Sequence, residues 1–290
     1  MSQKMQDYLL NKIFTVPYLD KMVCDCDVNL FVDSCHSLIA SASETFGAAV
    51  HDIYQYMSMS YRNEYYFKNT IFNQLMIQNH DIRRTAAFTE FPIGESKADF
   101  VMINGKGVVY EIKTDLDNFD RLEGQLMDYY KVFPYVNVVV GYKNYSKAKE
   151  ILKESPVGIY VLYQTNHLLC RKKAIYCDRY ITHEDTFKVL RKREFEQILL
   201  KYKNSLPTVN NFLYYRECLK WIQEIDKKTL HEEMLACLKQ RRLTQKKNEI
   251  IDTVPYELRA YAYFTKNCSC DLINQFCKRK VEGKNVLSVS

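Results

Sequence analysis

The chain has 290 residues, 47% of them hydrophobic and 26% charged, which suits one large or two small folded domains and excludes a chain disordered over most of its length. A formal net charge of +6 permits a polyanionic partner without demanding one. No run of about 18 apolar residues exists, so no membrane span is expected.

The N-terminus, MSQKMQDYLLNK, is polar and mixed in charge and carries no apolar leader segment. With ten scattered cysteines, the reading is a cytoplasmic protein with reduced thiols. Residues 1–60 read as helical. A first helix over 7–14 is broken at Pro17, and amphipathic helices follow over 28–42 and 43–56, the second capped by Ser43. Cys24, Cys26, Cys35 and His36 offer metal-ligating groups. Structural zinc sites use a C-x₂₋₄-C spacing, which C-D-C does not meet.

A long helix is expected over 61–80, with Tyr65, Ile71, Phe72, Leu75 and Met76 as its buried stripe. Glu64 stands four residues before Lys68, the spacing of a helical ion pair. A strand over 85–92 follows, and then a Gly-containing loop that carries Glu95 and Lys97. Glu95 reads as solvated, and Lys97 is placed to meet a phosphate.

The chain is organised around 96–130. The runs 98–103 (ADFVMI) and 107–113 (GVVYEIK) read as two strands joined by N-G-K-G, whose glycines supply the positive φ of a tight hairpin. On the second strand Glu111 and Lys113 project to one face with Val109, and Val108, Tyr110 and Ile112 to the other. Asp99 opens the neighbouring strand. Two carboxylates and an ammonium at one end of a sheet are costly to desolvate unless something binds there. A hard divalent cation held by carboxylate oxygens answers that need. A helix over 119–133 follows, with Leu122, Leu126, Tyr129 and Tyr130 as its stripe and Gln125 beside it. Pro134 ends it, and 136–140 reads as a strand buried on both faces.

Asp99, an apolar strand and Glu111-Ile112-Lys113 resemble the D…(D/E)xK signature of the PD-(D/E)xK nuclease superfamily, which has the restriction-endonuclease-like fold. Glu64 in YRNEYYFKNTIF matches the acid on the helix upstream. Gln125 and Tyr129 in EGQLMDYY match the helix downstream. The stretch QLMDYYKVFPYVNVVVGY is similar to small bacterial and phage-associated members. The resemblance covers roughly 62–142, and it departs from the pattern in having Ala98 where the superfamily's name has proline.

The resemblance implies an α/β fold: a mixed central sheet with flanking helices in the order α-β-β-β-α-β, with helical segments at both chain ends. It implies Mg²⁺, or Mn²⁺ in its place, held by Asp99 and Glu111 with Glu64 completing the set. Lys113 would orient the attacking water, and Gln125 would contact a phosphate or hold Lys113. It also implies a deoxyribonuclease that hydrolyses phosphodiester bonds, with defence against phage or other foreign DNA as the preferred setting. RNA as substrate, a homodimer and a controlling partner protein stay open. The reading from a different class is a catalytically silent nucleic-acid-binding or scaffold protein on the same fold.

Past the core, 158–163 and 168–173 read as a strand pair whose tip carries Arg171, Lys172 and Lys173. These either follow a phosphate backbone or are solvated edge charges. Helices are expected over 183–202, capped by Thr182, and over 212–225, 230–238 and 257–277. The densest basic run, KQRRLTQKK at 239–247, reads by default as a solvated turn, with a helix-turn-helix in which Arg241 and Arg242 contact nucleic acid as the alternative. The resulting division is a helical segment 1–60, a nuclease-like core 61–175 and a helical domain 176–290.

Overall fold

The structure, a computed structural model, describes residues 2–39, 43–243 and 251–281. Helices α1 (Gln3–Ile13), α2 (Val16–Cys24), α3 (Asn29–Leu38), α4 (Phe46–Ser60) and α5 (Glu64–Ile71) come first. Strands β1 (Ala86–Ile93), β2 (Ser96–Ile103) and β3 (Gly107–Lys113) follow. Then come α6 (Leu122–Tyr130), β4 (Tyr135–Gly141), α7 (Tyr145–Ile151), β5 (Gly158–Leu162) and β6 (Leu168–Lys172). The chain continues with α8 (His183–Lys188), α9 (Lys192–Lys203), α10 (Asn211–Gln223), α11 (Lys227–Leu243), α12 (Arg259–Phe264) and α13 (Cys270–Lys278).

The chain divides into two compact units, each built from separate stretches of sequence. Met1–Asn79, Gln164–His167 and Lys246–Ser290 form one, and His80–Tyr163 with Leu168–Gln245 the other. The first unit is helical and brings the two ends of the sequence together. Asp20 accepts hydrogen bonds from Tyr261, Thr265 and Asn267, and Phe46 stacks on Phe276 at 4.8 Å. Cys24 and Cys268 form a disulfide across 244 residues, which corrects the expectation of reduced thiols at this pair and removes Cys24 from any thiolate set with Cys26 and Cys35.

The second unit is α/β. Its six strands run in sheet order β1-β2-β3-β4-β5-β6. The β1–β2, β2–β3 and β5–β6 pairs are antiparallel, and β3–β4 and β4–β5 are parallel. Since parallel neighbours need a crossover, α6 lies between β3 and β4 and α7 between β4 and β5. One sheet face carries Val101, Val109, Val138 and Val161. These pack with Leu122, Leu126 and Tyr129 of α6 and with Phe187, Leu199, Ile222 and Met234 of α8–α11 in a single core.

Several expected helices are shorter because capping groups interrupt them. Asn63 Oδ1 accepts from Tyr66 N at 3.1 Å and starts α5, which passes into a π-helix over Phe72–Ile77. Thr45, not Ser43, caps α4; the Ser43 hydroxyl is turned to Asp52 instead. The expected helix over 183–202 is two. Thr182 caps α8, and the Arg191 backbone N–H bonds the Glu194 carboxylate to open α9. The expected helix over 257–277 breaks at Thr265, and Ser269 caps α13. Residues 244–247 of the basic run lie outside the described residues. Among the described residues no helix is long and apolar enough to cross a membrane.

Candidate active site

The site is built where β2 and β3 part. Their ladder runs from Ile103↔Gly107 to Phe100↔Tyr110 and stops. One residue further on, the Asp99 side chain takes over: its Oδ2 accepts the Ile112 backbone N–H at 2.7 Å. A carboxylate thus replaces a carbonyl as the partner of an interior strand amide, and it is held without the rest of the ladder.

β3 is buried along its whole length. Glu111 and Lys113 lie on its core face, 1% and 7% exposed. Lys113 Nζ is 3.1 Å from Glu111 Oε1 and donates to Gln125 Oε1 at 2.9 Å. The Tyr129 hydroxyl lies 2.6 Å from Glu111 Oε2 and 2.9 Å from the Lys97 carbonyl. Gln125 and Tyr129 are four residues apart on α6, so one helix face delivers both to the pair. The helix is tied to the β1–β2 turn by Ser96 Oγ, which donates to Asp128 Oδ2 at 2.7 Å. That turn needs Gly94: its φ is +60°, and a Cβ there would come within 2.7 Å of Asp128 Oδ1.

Burial pushes the Glu111 carboxyl upward, and the bonds from Tyr129, Lys113 and Gln125 only partly oppose it. Burial, together with the charge of Glu111, pushes the Tyr129 phenol up as well, so the hydroxyl stays a donor.

Glu90 is a site residue that sequence reasoning missed. The neighbouring pairs Thr89↔Phe100 and Phe91↔Ala98 bracket it opposite Asp99. Its φ is +51°, a left-handed conformation that costs a non-glycine residue about 1–2 kcal/mol. Core side chains on β1 are Ala86 and Phe88 before Glu90 but Phe91 and Ile93 after it, so the alternation changes phase there. The carboxylates of Glu90 and Asp99 each offer an oxygen within 4.8 Å of the other. An acidic residue inside an otherwise apolar strand was the visible signal. Its backbone conformation left no trace in the sequence.

A groove of about 850 Å³ passes this point, lined by Glu90, Lys97, Arg121 and Gln125 among others. Lys97 is exposed there and belongs to β2 rather than to a loop. Glu64 belongs to the helical unit, where it is exposed in the first turn of α5 and paired with Lys68.

The other basic residues have different occupations. Arg171 stacks over Tyr163 at 5.0 Å and bonds its hydroxyl. Lys172 donates to the carbonyls of Leu152 and Ser155 at 2.5 and 2.6 Å just beyond α7, so it is a helix-end cap and not a solvated edge charge. Lys173 is exposed. Arg241 bonds Glu194 and the Val189 carbonyl, with Nε 2.6 Å from Glu194 Oε1. Arg242 lies over the Phe88 ring at 5.3 Å.

The donor set fits a hard divalent cation. Glu90 and Asp99 bring carboxylate oxygens within 4.8 Å of each other, the ligand type such an ion takes, while Glu111 on the next strand is held by Lys113 and Tyr129.

A family model described as Bacteriophage P4 protein cII matches residues 57–255. A curated relative, Protein cII of Enterobacteria phage P4, is 28% identical over 176 residues, which cover 59% of this chain and 59% of the relative. The match thus spans less than two thirds of that relative's length. No solved structure matches the chain. The family match includes β1 to α11 and therefore the whole of the site above, and the chain belongs to the bacteriophage P4 protein cII family.

Proposed function

We propose that the protein is a metal-dependent nuclease of the PD-(D/E)xK type that hydrolyses phosphodiester bonds of DNA. The observation that carries this reading is the parting of β2 and β3, which leaves Asp99 beside β3 with Glu111 and Lys113 paired on its core face. The order β1-β2-β3-α6-β4 within the α/β unit, with β3 and β4 parallel, supports a restriction-endonuclease-like core.

Asp99 and Glu111, with Glu90 beside Asp99, would hold the cation. When bound, Mg²⁺ or Mn²⁺ supplies positive charge against the phosphate and acidifies water. Lys113 donates from Nζ either to the attacking water or to a phosphate oxygen, stabilising the charge that develops there. Gln125 fixes the direction of that ammonium, and Tyr129 fixes the carboxylate beside it. Lys97 and Arg121 line the groove as phosphate contacts. The relative named above is a phage protein, so we place the activity in phage or mobile-element biology, including exclusion of foreign DNA.

One observation favours a second reading, a silent nucleic-acid-binding protein. Lys113, Glu111, Tyr129 and Gln125 satisfy one another, as a purely structural network would. Titration of Mg²⁺ and Mn²⁺ into wild-type and Glu111→Gln protein, followed by incubation with plasmid DNA, single-stranded DNA and RNA, separates the two. Cation binding and cutting that the variant loses support the nuclease, and the substrate cut identifies its class. A folded protein that binds neither ion and cuts none of the three is the silent protein.

A further inference from the structure

The opposite face of the sheet holds a second cavity. Tyr110 projects away from Glu111 and Lys113, since side chains alternate along β3. Tyr110 is in register with Asn137 of β4, and Asn137 with Gly158 of β5. A cavity of about 390 Å³ is lined by Tyr110, Tyr135, Tyr160, Asn137, Lys106 and Lys173, together with the hydrogen-bonded pair His80 and Asn104 and several apolar side chains.

Asn137 is the informative group. It interrupts the apolar run VNVVV and is only 4% exposed. A buried carboxamide costs free energy unless its two N–H groups and its oxygen find partners. Among the described residues its one hydrogen bond runs from Nδ2 to the Val109 carbonyl at 3.4 Å. Room for the side chain is made by Gly158, where a Cβ would come 2.1 Å from Asn137 Oδ1. The walls are aromatic: Tyr110 and Tyr160 meet edge to face at 5.7 Å. Lys106 Nζ stands 4.3 Å from the centre of the Tyr135 ring, which brings a cation to the aromatic wall, and Lys173 adds a second, exposed cation.

From these features we infer that this cavity binds a nucleotide. The base packs on the tyrosine rings, the Asn137 amide meets its edge, and the phosphate is held by Lys106 and Lys173. An asparagine amide pairs best with an adenine edge, and every base has a face that stacks on a tyrosine ring. The cavity volume is within the range that small-molecule sites occupy. The same chemistry is offered by a free nucleotide and by one nucleotide of a strand. The inference does not rest on the proposed nuclease, whose groups lie on the other face.

The test is calorimetric titration of the full chain, in EDTA, with AMP and with a short oligo-dA strand. It is run on wild type, Glu111→Gln and the double variant Lys106→Glu/Lys173→Glu, whose exposed positions leave the fold intact by circular dichroism. Binding that Glu111→Gln retains and the double variant weakens at least tenfold is the expected result. If AMP shows it, the ligand is a free nucleotide; if only the strand does, the site holds part of a nucleic acid. No binding of either probe, or binding that the double variant leaves unchanged, overturns the inference.

Discussion

Lys113 Nζ and Glu111 Oε1 lie 3.1 Å apart on the core face of β3, both almost wholly buried. A buried ion pair is a poor way to stabilise a sheet, because desolvation consumes most of the attraction. Its presence two residues apart on one strand is better explained by what the pair does at the open end of the β2–β3 ladder.

The pair therefore sets activity against stability. Lys113→Met leaves Glu111 buried without its cation and is expected to cost about 3 kcal/mol. The double variant Glu111→Leu/Lys113→Met recovers most of that, since no buried charge remains. Urea denaturation of both variants checks this, and neither should cut DNA. A double variant no more stable than Lys113→Met would show that the pair is not paying a desolvation cost.

Tyr129→Phe removes the hydroxyl that meets both Glu111 and the Lys97 carbonyl. The expected loss is about 1–2 kcal/mol of stability for a buried acceptor left unmet. Cleavage should fall further than cation affinity, because the phenol positions the carboxylate without holding the ion. Parallel measurement of cation affinity and cleavage rate separates the two effects.

Glu90 is held at φ +51°. Glu90→Gly relieves the left-handed conformation and should be about 1 kcal/mol more stable than Glu90→Ala. Both should bind the divalent ion more weakly than wild type. If Glu90→Gly binds it normally, Glu90 lies outside the ligand set.

The strand alternation that put Glu111 beside Lys113, and the helical spacing that put Gln125 beside Tyr129, are local patterns, and both were legible in the sequence. Glu90 was visible only as an acidic residue within an expected strand; the left-handed backbone conformation that sets it apart is not encoded in the side-chain pattern. The Cys24–Cys268 link, which joins residues 244 apart, was not legible either. Arg241 read as part of a solvated basic run, yet a glutamate 47 residues earlier claims it. The breaks within the expected helices at 183–202 and 257–277 follow from caps at Arg191–Glu194 and Ser269, which compete locally with otherwise continuous helical periodicity.

Acid should destabilise the α/β unit in two stages. Burial holds the His231 imidazole below its ordinary value of 6.5, although its Nε2 faces the Val132 carbonyl at 3.0 Å. A depressed histidine contributes stability above pH 6.5 that is lost as pH falls below it. Burial alone would raise Glu194, but Arg241 and the Arg191 backbone N–H hold it below its ordinary 4.5. Its contribution is present above pH 4.5 and is lost on further acidification. His231→Gln should flatten the first stage and Glu194→Gln the second, read as denaturation midpoints between pH 3 and 8. Arg241→Met should cost about 2–3 kcal/mol at pH 7 without changing cleavage.

The central claim is tested most directly by cleavage of plasmid DNA in Mn²⁺ by wild type, Glu111→Gln and Lys113→Met, each with an EDTA control. The account predicts cutting by wild type alone, abolished by EDTA. Cutting by Lys113→Met at the wild-type rate, or cutting by wild type that EDTA leaves unchanged, would contradict it.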